Sequence, residues 1–213
     1  GSLKKFEKKF TEKSRYNPSS PYSASKASSD LIVMSYFKTY NMNVTISNTS
    51  NNFGPFINKE KLIPKIIINI LNNQRIPIYG NGSQIREWIY VEDHIKGIEK
   101  IIKKGKFGES YNLGSKFNIT NLELTKIICK ILDKKFYINK SLINKFPRAI
   151  QAKNNNSLKL ISFVSDRLGH DYKYSLNTTK SEKKLGFISK TDIKKNLEKT
   201  IDWFLSNNQY WNE

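Results

Sequence analysis

Residues 21–47 predict a long helix that passes directly into a short strand, and this succession limits the chain to a small group of folds. Apolar residues recur at steps of three and four from Pro21 to about Asn41, which is typical of a helix with one buried face; they are Ala24, Ala27, Leu31, Met34, Phe37 and Tyr40. The β-branched run Asn43–Ser47 is typical of a strand. A helix that alternates with a short strand indicates the α/β class.

The start of this helix carries a candidate catalytic pair. Ser19 or Ser20 can cap the helix, and Pro21 suits its first position. Tyr22 and Lys26 are four residues apart and share one helix face. An ammonium beside a phenol favours the phenolate and lowers the tyrosine pKa from about 10, which would make Tyr22 a general base. The same spacing also occurs in capped surface helices with a solvated lysine, so the spacing alone leaves both interpretations open.

The charge of the chain indicates an anionic small-molecule substrate more strongly than a nucleic acid. The net charge is +19, but the lysines are spread from Lys4 to Lys199, and dense basic runs do not exceed pairs such as Lys134–Lys135. Arginine, the better phosphate reader, occurs only five times. We therefore expect no nucleic-acid partner.

Cysteine usage and hydropathy indicate a cytoplasmic protein without a membrane span. The longest apolar runs are far shorter than the roughly 20 residues that cross a bilayer. The lone Cys129 lies in an apolar helical pattern and has no cysteine partner for a disulfide or a metal site. We expect no metal.

The rest of the chain continues the α/β pattern. Helices are expected from near Pro64 to residue 71 and over residues 92–104, 120–132, 178–185 and 192–205, and strands over residues 76–79, 84–91 and 109–113. Residues 1–18 and 48–55 are expected to be loops, and residues 133–159 have no readable pattern. A loop that leaves the carboxyl end of a strand, as residues 48–55 do, is a common ligand position in open α/β sheets.

Six segments occur in the order seen in one enzyme family: Pro18–Asp30, Ser50–Pro55, Glu60–Pro64, Pro77–Gly80, Gln84–His94 and Asp166–Asp171. From about Phe10 to Leu205 the chain resembles dTDP-glucose 4,6-dehydratases, which are extended short-chain dehydrogenase/reductase (SDR) enzymes. The resemblance implies the C-terminal part of an NAD-binding Rossmann-type fold plus a smaller α+β substrate-binding lobe. Residues 1–50 would be the remainder of the Rossmann domain with the Tyr/Lys helix, residues 51–93 a substrate-binding segment, residues 94–114 a return to the Rossmann sheet, and residues 115–213 the substrate-binding lobe.

The N-terminal NAD-binding half of that family has no counterpart in this sequence. Its Gly-x-x-Gly-x-x-Gly turn is absent, and Gly1-Ser-Leu3 resembles the residues that follow the family's Thr-Asp-Glu stretch. We therefore expect this chain to be a C-terminal portion of such an enzyme. By itself it should be inactive, because it lacks the Asp and Glu of that stretch, which the enzyme's elimination step requires. The other explanation of Gly1-Ser2 is a tag remnant. Without the first strands of the sheet, apolar surface on the helix from Pro21 and on Val44–Ser47 would be exposed, which predicts a poorly soluble or partner-dependent chain.

The resemblance also implies a reaction and its residues. NAD would be reduced and then reoxidised on the same sugar; Tyr22 would take the proton of the glucose 4-hydroxyl, and Lys26 would bind the nicotinamide ribose. Thr49, where many relatives have Cys, and Asn52 would lie beside the cofactor. The substrate dTDP-glucose would contact Asn51, Lys61, Leu62, Pro77, Ile78, Tyr79, Arg86, Asn112, Asp166, Arg167 and His170. Within this set Pro77–Tyr79 would surround the thymine, and Arg86 and Arg167 would bind phosphate oxygens. Leu168 replaces the usual Pro of its motif, His94 is expected to be structural, and Trp88 is expected in the core.

The resemblance further implies a homodimer formed through the Tyr/Lys helix, and a place in deoxysugar synthesis, such as that of rhamnose for a lipopolysaccharide O-antigen. Two alternatives stay open. One is a sibling enzyme, such as a UDP-sugar epimerase or decarboxylase, and the other is a non-catalytic remnant that binds nucleotide sugars.

Overall fold

The computed structural model describes residues 2–4 and 7–211. The expectations for Gly1 and for the last two residues of the 115–213 lobe therefore lie outside the described residues. The chain divides into two compact units: a first unit of residues 1–52, 84–119 and 168–191, and a second unit of residues 53–83, 120–167 and 192–213.

The described residues form helices and strands in alternation. In chain order they are α1 (Pro21–Tyr40), β1 (Ile46–Thr49), β2 (Asn51–Phe53), α2 (Leu62–Leu71), β3 (Ile76–Tyr79), β4 (Ile85–Tyr90), α3 (Val91–Lys104), β5 (Ser110–Leu113), β6 (Asn118–Thr120), α4 (Asn121–Ile138), α5 (Ser141–Lys145), α6 (Ile150–Lys153), a 3-10 helix (Ser157–Leu160), β7 (Ile161–Val164), β8 (Lys173–Tyr174), α7 (Thr179–Leu185), α8 (Ile193–Ser206) and a second 3-10 helix (Asn208–Tyr210).

The first unit has its core where β4 and β5 meet the helices α3 and α7. β5 pairs with β1 in parallel, with Ile46 opposite Ser110 and Thr49 opposite Leu113. The buried side chains of this core are Ile89, Ile101, Tyr111, Leu113, Leu185 and Phe187. A Cβ at Gly97 would lie 2.9 Å from the Leu113 side chain, so α3 approaches β5 closely because position 97 is glycine.

A second sheet has the strand order β2-β4-β6, with β8 paired in parallel to β4. Glu87 on β4 is fully buried and accepts hydrogen bonds from two other chain segments. Its carboxylate accepts hydrogen bonds of 2.9 Å from the backbone N–H groups of Lys116 and Leu176 and from the Ser175 hydroxyl. A buried carboxylate with this many donors fixes the strands around it.

The second unit is built around α2, whose apolar residues lie on nearly every side. Six of its ten residues are buried: Ile63, Pro64, Ile66, Ile67, Ile70 and Leu71. α2 packs against α4, α6 and α8, and β3 pairs with β7 in parallel, with Tyr79 opposite Val164. A capping box between Thr120 and Glu123 starts α4.

Most of the predicted elements are confirmed. The predicted helices start or end within a few residues of the observed ones, and α7 ends at Gly186, which has φ +62°. The strand predicted over Asn43–Ser47 is displaced to Ile46–Thr49, and the expected loop over residues 48–55 contains β2. Residues 133–159 contain the end of α4 as well as α5 and α6, which the sequence did not predict.

The predicted buried face of α1 is wrong, because no residue of this helix is buried. Leu31 is 59% exposed and Tyr40 is 70% exposed, since no other element among the described residues covers them. This agrees with the expectation that apolar surface on this helix would be open.

Two features are absent from the part of the chain that the structure describes. None of its helices combines the length and the apolar character needed to cross a bilayer. Within the same residues, no group of three His, Cys, Asp or Glu side chains is arranged to hold a metal ion.

Candidate active site

The Tyr/Lys pair lies on the first two turns of α1. Ser20 caps the helix by accepting a 3.2 Å hydrogen bond from the Ser23 N–H, and Pro21 occupies the first helical position. Tyr22 is 72% exposed, and Lys26 is exposed one turn further along. The pair therefore shares one accessible helix face, which is the placement that the sequence predicts.

The carboxyl end of β1 carries buried polar atoms that lack partners. The Asn52 side-chain N–H donates to the Thr49 hydroxyl at 3.3 Å, and that hydroxyl donates to the Ser50 carbonyl at 3.2 Å. The Asn52 Oδ1 and the Ser50 hydroxyl are buried without a hydrogen-bond partner among the described residues. Such atoms are costly to leave unpaired, so this strand end suits a ligand that brings hydrogen-bonding groups. Asn51 is exposed beside them.

Arg86 on β4 is half-buried, and its guanidinium lies against the segment that contains His170. Its Nη1 donates to the Ile85 carbonyl at 2.8 Å, and its Nη2 donates to the Asp171 carbonyl at 2.7 Å. Burial lowers the pKa of Arg86, and the nearby Asp171 carboxylate acts in the opposite direction. The guanidinium is thus held at a defined place in the first unit, with His170 half-buried in the adjoining segment.

Asn112 on β5 is buried and makes structural contacts. Its side-chain N–H groups donate to the carbonyls of Phe10 and Asn177, each at 3.0 Å, and its backbone N–H donates to Glu12 at 3.0 Å. These contacts hold the N-terminal segment on β5. The expected contact between Asn112 and a substrate stays a prediction.

In the second unit, Lys61 and Leu62 stand at the N-terminus of α2. Lys61 is the residue before the helix, is exposed, and makes no side-chain cap. The first turn contains no acidic residue, so its free N–H groups and the Lys61 ammonium together favour an anion.

The second unit also brings together Tyr79, Asp166 and Arg167. The guanidinium carbon of Arg167 lies 4.0 Å from the centre of the Tyr79 ring, which is a cation–π contact. Asp166 accepts a 2.8 Å hydrogen bond from the Arg167 backbone N–H. Its carboxylate would lie 3.0 Å from a Cβ at Gly80, which has φ +57°, so the turn after β3 depends on glycine.

β3 presents its residues alternately. Pro77 and Tyr79 are half-buried, whereas Ile78 is 2% exposed and packs in the core. Any contribution of Ile78 to ligand binding would therefore come from its backbone.

The expected site residues fall into two groups. The first unit holds Tyr22, Lys26, Thr49, Asn51, Asn52, Arg86, Asn112 and His170, and the second unit holds Lys61, Leu62, Pro77, Ile78, Tyr79, Asp166 and Arg167. Sequence reasoning overlooked Ser50, Glu87 and Asp171. Each of them lies inside a segment that the sequence analysis identified, but nothing in the sequence distinguished the individual residue as functional.

Trp88 matches its sequence expectation, whereas the structural role expected of His94 stays a prediction. Burial lowers the pKa of His94, which favours the neutral imidazole. Trp88 is 3% exposed in the core of the first unit.

The parallel strand pairs, the Tyr/Lys helix and the polar strand end define an α/β protein of the Rossmann-type extended SDR class. The chain belongs to the GDP-mannose 4,6 dehydratase family, which matches residues 1–200.

Individual relatives of the chain carry a more specific enzyme name than the family does. The chain is 43% identical over 202 residues to a dTDP-glucose 4,6-dehydratase of Escherichia coli, covering 95% of this chain and 53% of the relative. It is 42% identical over 207 residues to the dTDP-glucose 4,6-dehydratase of Haemophilus influenzae, covering 97% of this chain and 58% of the relative. The chain thus spans a little over half the length of these relatives.

A solved structure supports the same fold. The dTDP-glucose 4,6-dehydratase of Streptomyces venezuelae, solved with NAD bound, has a TM-score of 0.84 and is 34% identical, covering 99% of this chain and 58% of that one. The expected Rossmann-type extended SDR fold and the resemblance to dTDP-glucose 4,6-dehydratases are confirmed.

Proposed function

We propose that this chain supplies the Tyr/Lys helix and the nucleotide-sugar-binding part of an NAD-dependent dTDP-glucose 4,6-dehydratase. That enzyme is a lyase which converts dTDP-glucose to dTDP-4-keto-6-deoxyglucose. The observation that carries the proposal is the placement of Tyr22 and Lys26 on one accessible face of α1, in a chain 43% identical to such an enzyme.

Tyr22 is the proposed general base and Lys26 its partner. An exposed phenol on the first turn of a capped helix is accessible to a substrate hydroxyl, and Lys26 lies one turn away on the same helix. In this role Tyr22 takes the proton of the glucose 4-hydroxyl, and Lys26 also binds the nicotinamide ribose.

The cofactor proposal rests on the carboxyl end of β1. The unpartnered Asn52 Oδ1 and Ser50 hydroxyl beside Thr49 fit a ligand rich in amide and hydroxyl groups, as NAD is. When bound, NAD supplies the acceptor and donor of hydride. Thr49 and Asn52 would hold it, and Asn51 would contact the sugar.

The remaining residues would bind the two ends of dTDP. Lys61 and Leu62 lie at the N-terminus of α2, which would bind the diphosphate. Arg86, with His170 in the adjoining segment, would supply a positive charge that is fixed in position by its hydrogen bonds. Pro77, Ile78 and Tyr79 would enclose the thymine, with Asp166 and Arg167 beside them and Asn112 supporting β5.

We further propose that an N-terminal half provides the Asp and Glu of the elimination step. Among the described residues β1 pairs with β5 alone, and α1 has no buried residue. A two-stranded parallel sheet is uncommon by itself, because parallel strands are normally covered on both faces. In this scheme residues 1–50 and 94–114 complete the Rossmann domain, and residues 51–93 and 115–213 bind the substrate.

The cellular location, the oligomeric state and the pathway of the enzyme are part of the same proposal. The assembled enzyme would be a cytoplasmic homodimer joined through α1, and its product would enter deoxysugar synthesis such as that of rhamnose for lipopolysaccharide. The exposed aromatic and aliphatic residues of α1 support an interface there; they include Leu31, Ile32, Tyr36 and Tyr40.

The test compares this chain alone with a fusion that joins it to the N-terminal half of the Escherichia coli relative. Both are given dTDP-glucose and NAD, and the 4-keto sugar is measured by mass spectrometry. We expect product from the fusion and none from the chain alone. Product from the chain alone would contradict the proposed division of catalytic groups.

Binding measurements separate the alternative functions. Calorimetric titration with dTDP and with UDP should show a preference for dTDP. A preference for UDP would indicate a sibling enzyme that acts on UDP sugars. Binding of dTDP by a fusion that gives no product would indicate a non-catalytic nucleotide-sugar-binding protein.

A further inference from the structure

Asp171 contacts two parts of the first unit that the proposed function uses for different tasks. Its carboxylate accepts a 3.2 Å hydrogen bond from the Ser19 hydroxyl. Its backbone carbonyl accepts a 2.7 Å hydrogen bond from Arg86 Nη2. Ser19 lies two residues before Pro21, where α1 begins, and Arg86 lies on β4. One residue therefore binds both the start of the Tyr/Lys helix and the guanidinium proposed for the diphosphate.

The residues around Asp171 hold this segment in place. The Ile85 N–H donates to the Tyr172 carbonyl at 2.7 Å, which joins the segment to the start of β4. Gly169 has φ +67°, and a Cβ there would lie 3.0 Å from the Ser19 carbonyl oxygen. The segment thus passes closely against Ser19, and glycine permits that approach.

The charges agree with the hydrogen bonds. Arg86 is half-buried, and a partly desolvated guanidinium is stabilised by a nearby carboxylate. The negative charge of Asp171 acts on Arg86 in this sense. Replacing the carboxylate would therefore weaken the Ser19 hydrogen bond and remove the charge that stabilises Arg86, while the backbone hydrogen bond to Arg86 remains.

We propose that Asp171 is a positioning residue that ties Arg86 to the first turn of α1, so that an anion bound at Arg86 also restrains the helix carrying Tyr22 and Lys26. The role of Arg86 toward an anion rests on the proposed function. The tie between Arg86, Asp171 and α1 does not, and it is measured without a ligand.

The ligand-free test is hydrogen exchange of the Ala24 N–H, which donates to the Ser20 carbonyl at 2.9 Å in the first turn of α1. We expect Asp171→Asn, Ser19→Ala and Arg86→Lys each to speed its exchange about threefold or more. Asp171→Asn removes the charge that strengthens the hydrogen bond from Ser19, Ser19→Ala removes that hydroxyl, and Arg86→Lys removes the Nη2 donor. Ser35→Ala is the matched control, because the Ser35 hydroxyl donates to the Ile32 carbonyl within α1. Asp202→Asn repeats the charge change on α8 and should leave this exchange unchanged. Unchanged exchange in Arg86→Lys would overturn the proposal.

A second test uses dTDP and thymidine as probes in calorimetry. Asp171→Asn should weaken dTDP binding about three- to tenfold and leave thymidine binding unchanged, because only dTDP carries the phosphates. In the Arg86→Lys background the same change should have no further effect. An equal loss for thymidine, or an additive loss in the double variant, would contradict the role assigned to Asp171. Absence of dTDP binding by the unaltered chain would instead contradict the proposed function, while hydrogen exchange still decides the role of Asp171.

Discussion

Arg167 lies with its guanidinium carbon 4.0 Å from the centre of the Tyr79 ring. The two residues are 88 positions apart, and the parallel pairing of β3 with β7 brings them together by placing Tyr79 opposite Val164. The proposed function assigns them to different ends of dTDP. Their contact means that the proposed thymine and diphosphate contacts of the second unit share one cation–π pair.

The Tyr79 ring should therefore matter more than its hydroxyl. Tyr79→Leu should weaken dTDP binding about tenfold, because it removes both a stacking surface and the support of Arg167, whereas Tyr79→Phe should bind dTDP nearly as well as the unaltered chain. Tyr137→Leu is the matched control, since Tyr137 on α4 likewise has a cation near its ring, the Lys140 ammonium 4.9 Å from the ring centre. Equal affinities for the Leu and Phe variants at position 79 would argue against this arrangement.

Tyr22 should be required for turnover and dispensable for folding. In the fusion with an N-terminal half, Tyr22→Phe should lower kcat by about 10²- to 10⁴-fold, because it removes the proposed proton acceptor. Tyr40→Phe, at an exposed tyrosine near the other end of α1, should leave kcat unchanged. Rates are measured with dTDP-glucose and NAD. A normal rate for Tyr22→Phe would show that Tyr22 is not the proton acceptor.

Gly114 should be intolerant of even one methyl group. A Cβ there would lie 2.1 Å from Glu87 Oε1, and Glu87 is fully buried with three donors that hold it in place. Gly114→Ala should lower the free energy of unfolding by about 1–3 kcal/mol, as overpacking in a core does. Urea denaturation measures the change. In a Glu87→Ala background, Gly114→Ala should lower the free energy of unfolding by less. An equal loss there would show that the clash is not with Glu87.

Two carboxylates should give opposite pH dependences of stability. Burial raises the pKa of Asp133, which accepts hydrogen bonds from Ser157. Its contribution to stability is fully present below the unfolded pKa of about 3.9 and is lost as the pH rises through the folded pKa. The stability of Asp133→Asn relative to the unaltered chain should therefore improve as the pH rises above about 4.

Glu182 is the matched case of opposite sign. The hydrogen bond from Lys116 lowers the pKa of Glu182, so its contribution is present above the unfolded pKa of about 4.3 and is lost as the pH falls through the folded pKa. Glu182→Gln should cost stability at pH 7 and progressively less toward acid pH. Denaturation at several pH values measures both variants, and parallel pH profiles would contradict the assigned directions.

Local sequence determined the elements whose signals lie within a few residues. Ser20 and Pro21 start α1, the Thr120–Glu123 box starts α4, and Gly186 ends α7, because caps and the first or last turn involve neighbours in the chain. The burial of the apolar run Leu62–Leu71 also follows from local sequence, because nearly all of its residues are apolar and it has almost no polar face to expose to solvent. The order of the six family-like segments is likewise a property of the sequence alone.

Only the tertiary structure decided which distant residues meet. β2 and β8 are strands of three and two residues, too short for a periodic signal, and they form by pairing with partners far along the chain. The contact of Arg167 with Tyr79 and the double contact of Asp171 with Ser19 and Arg86 depend on such pairings. The exposure of α1 depends on what lies beside the helix in space, because its own three- and four-residue periodicity is compatible with either burial or exposure.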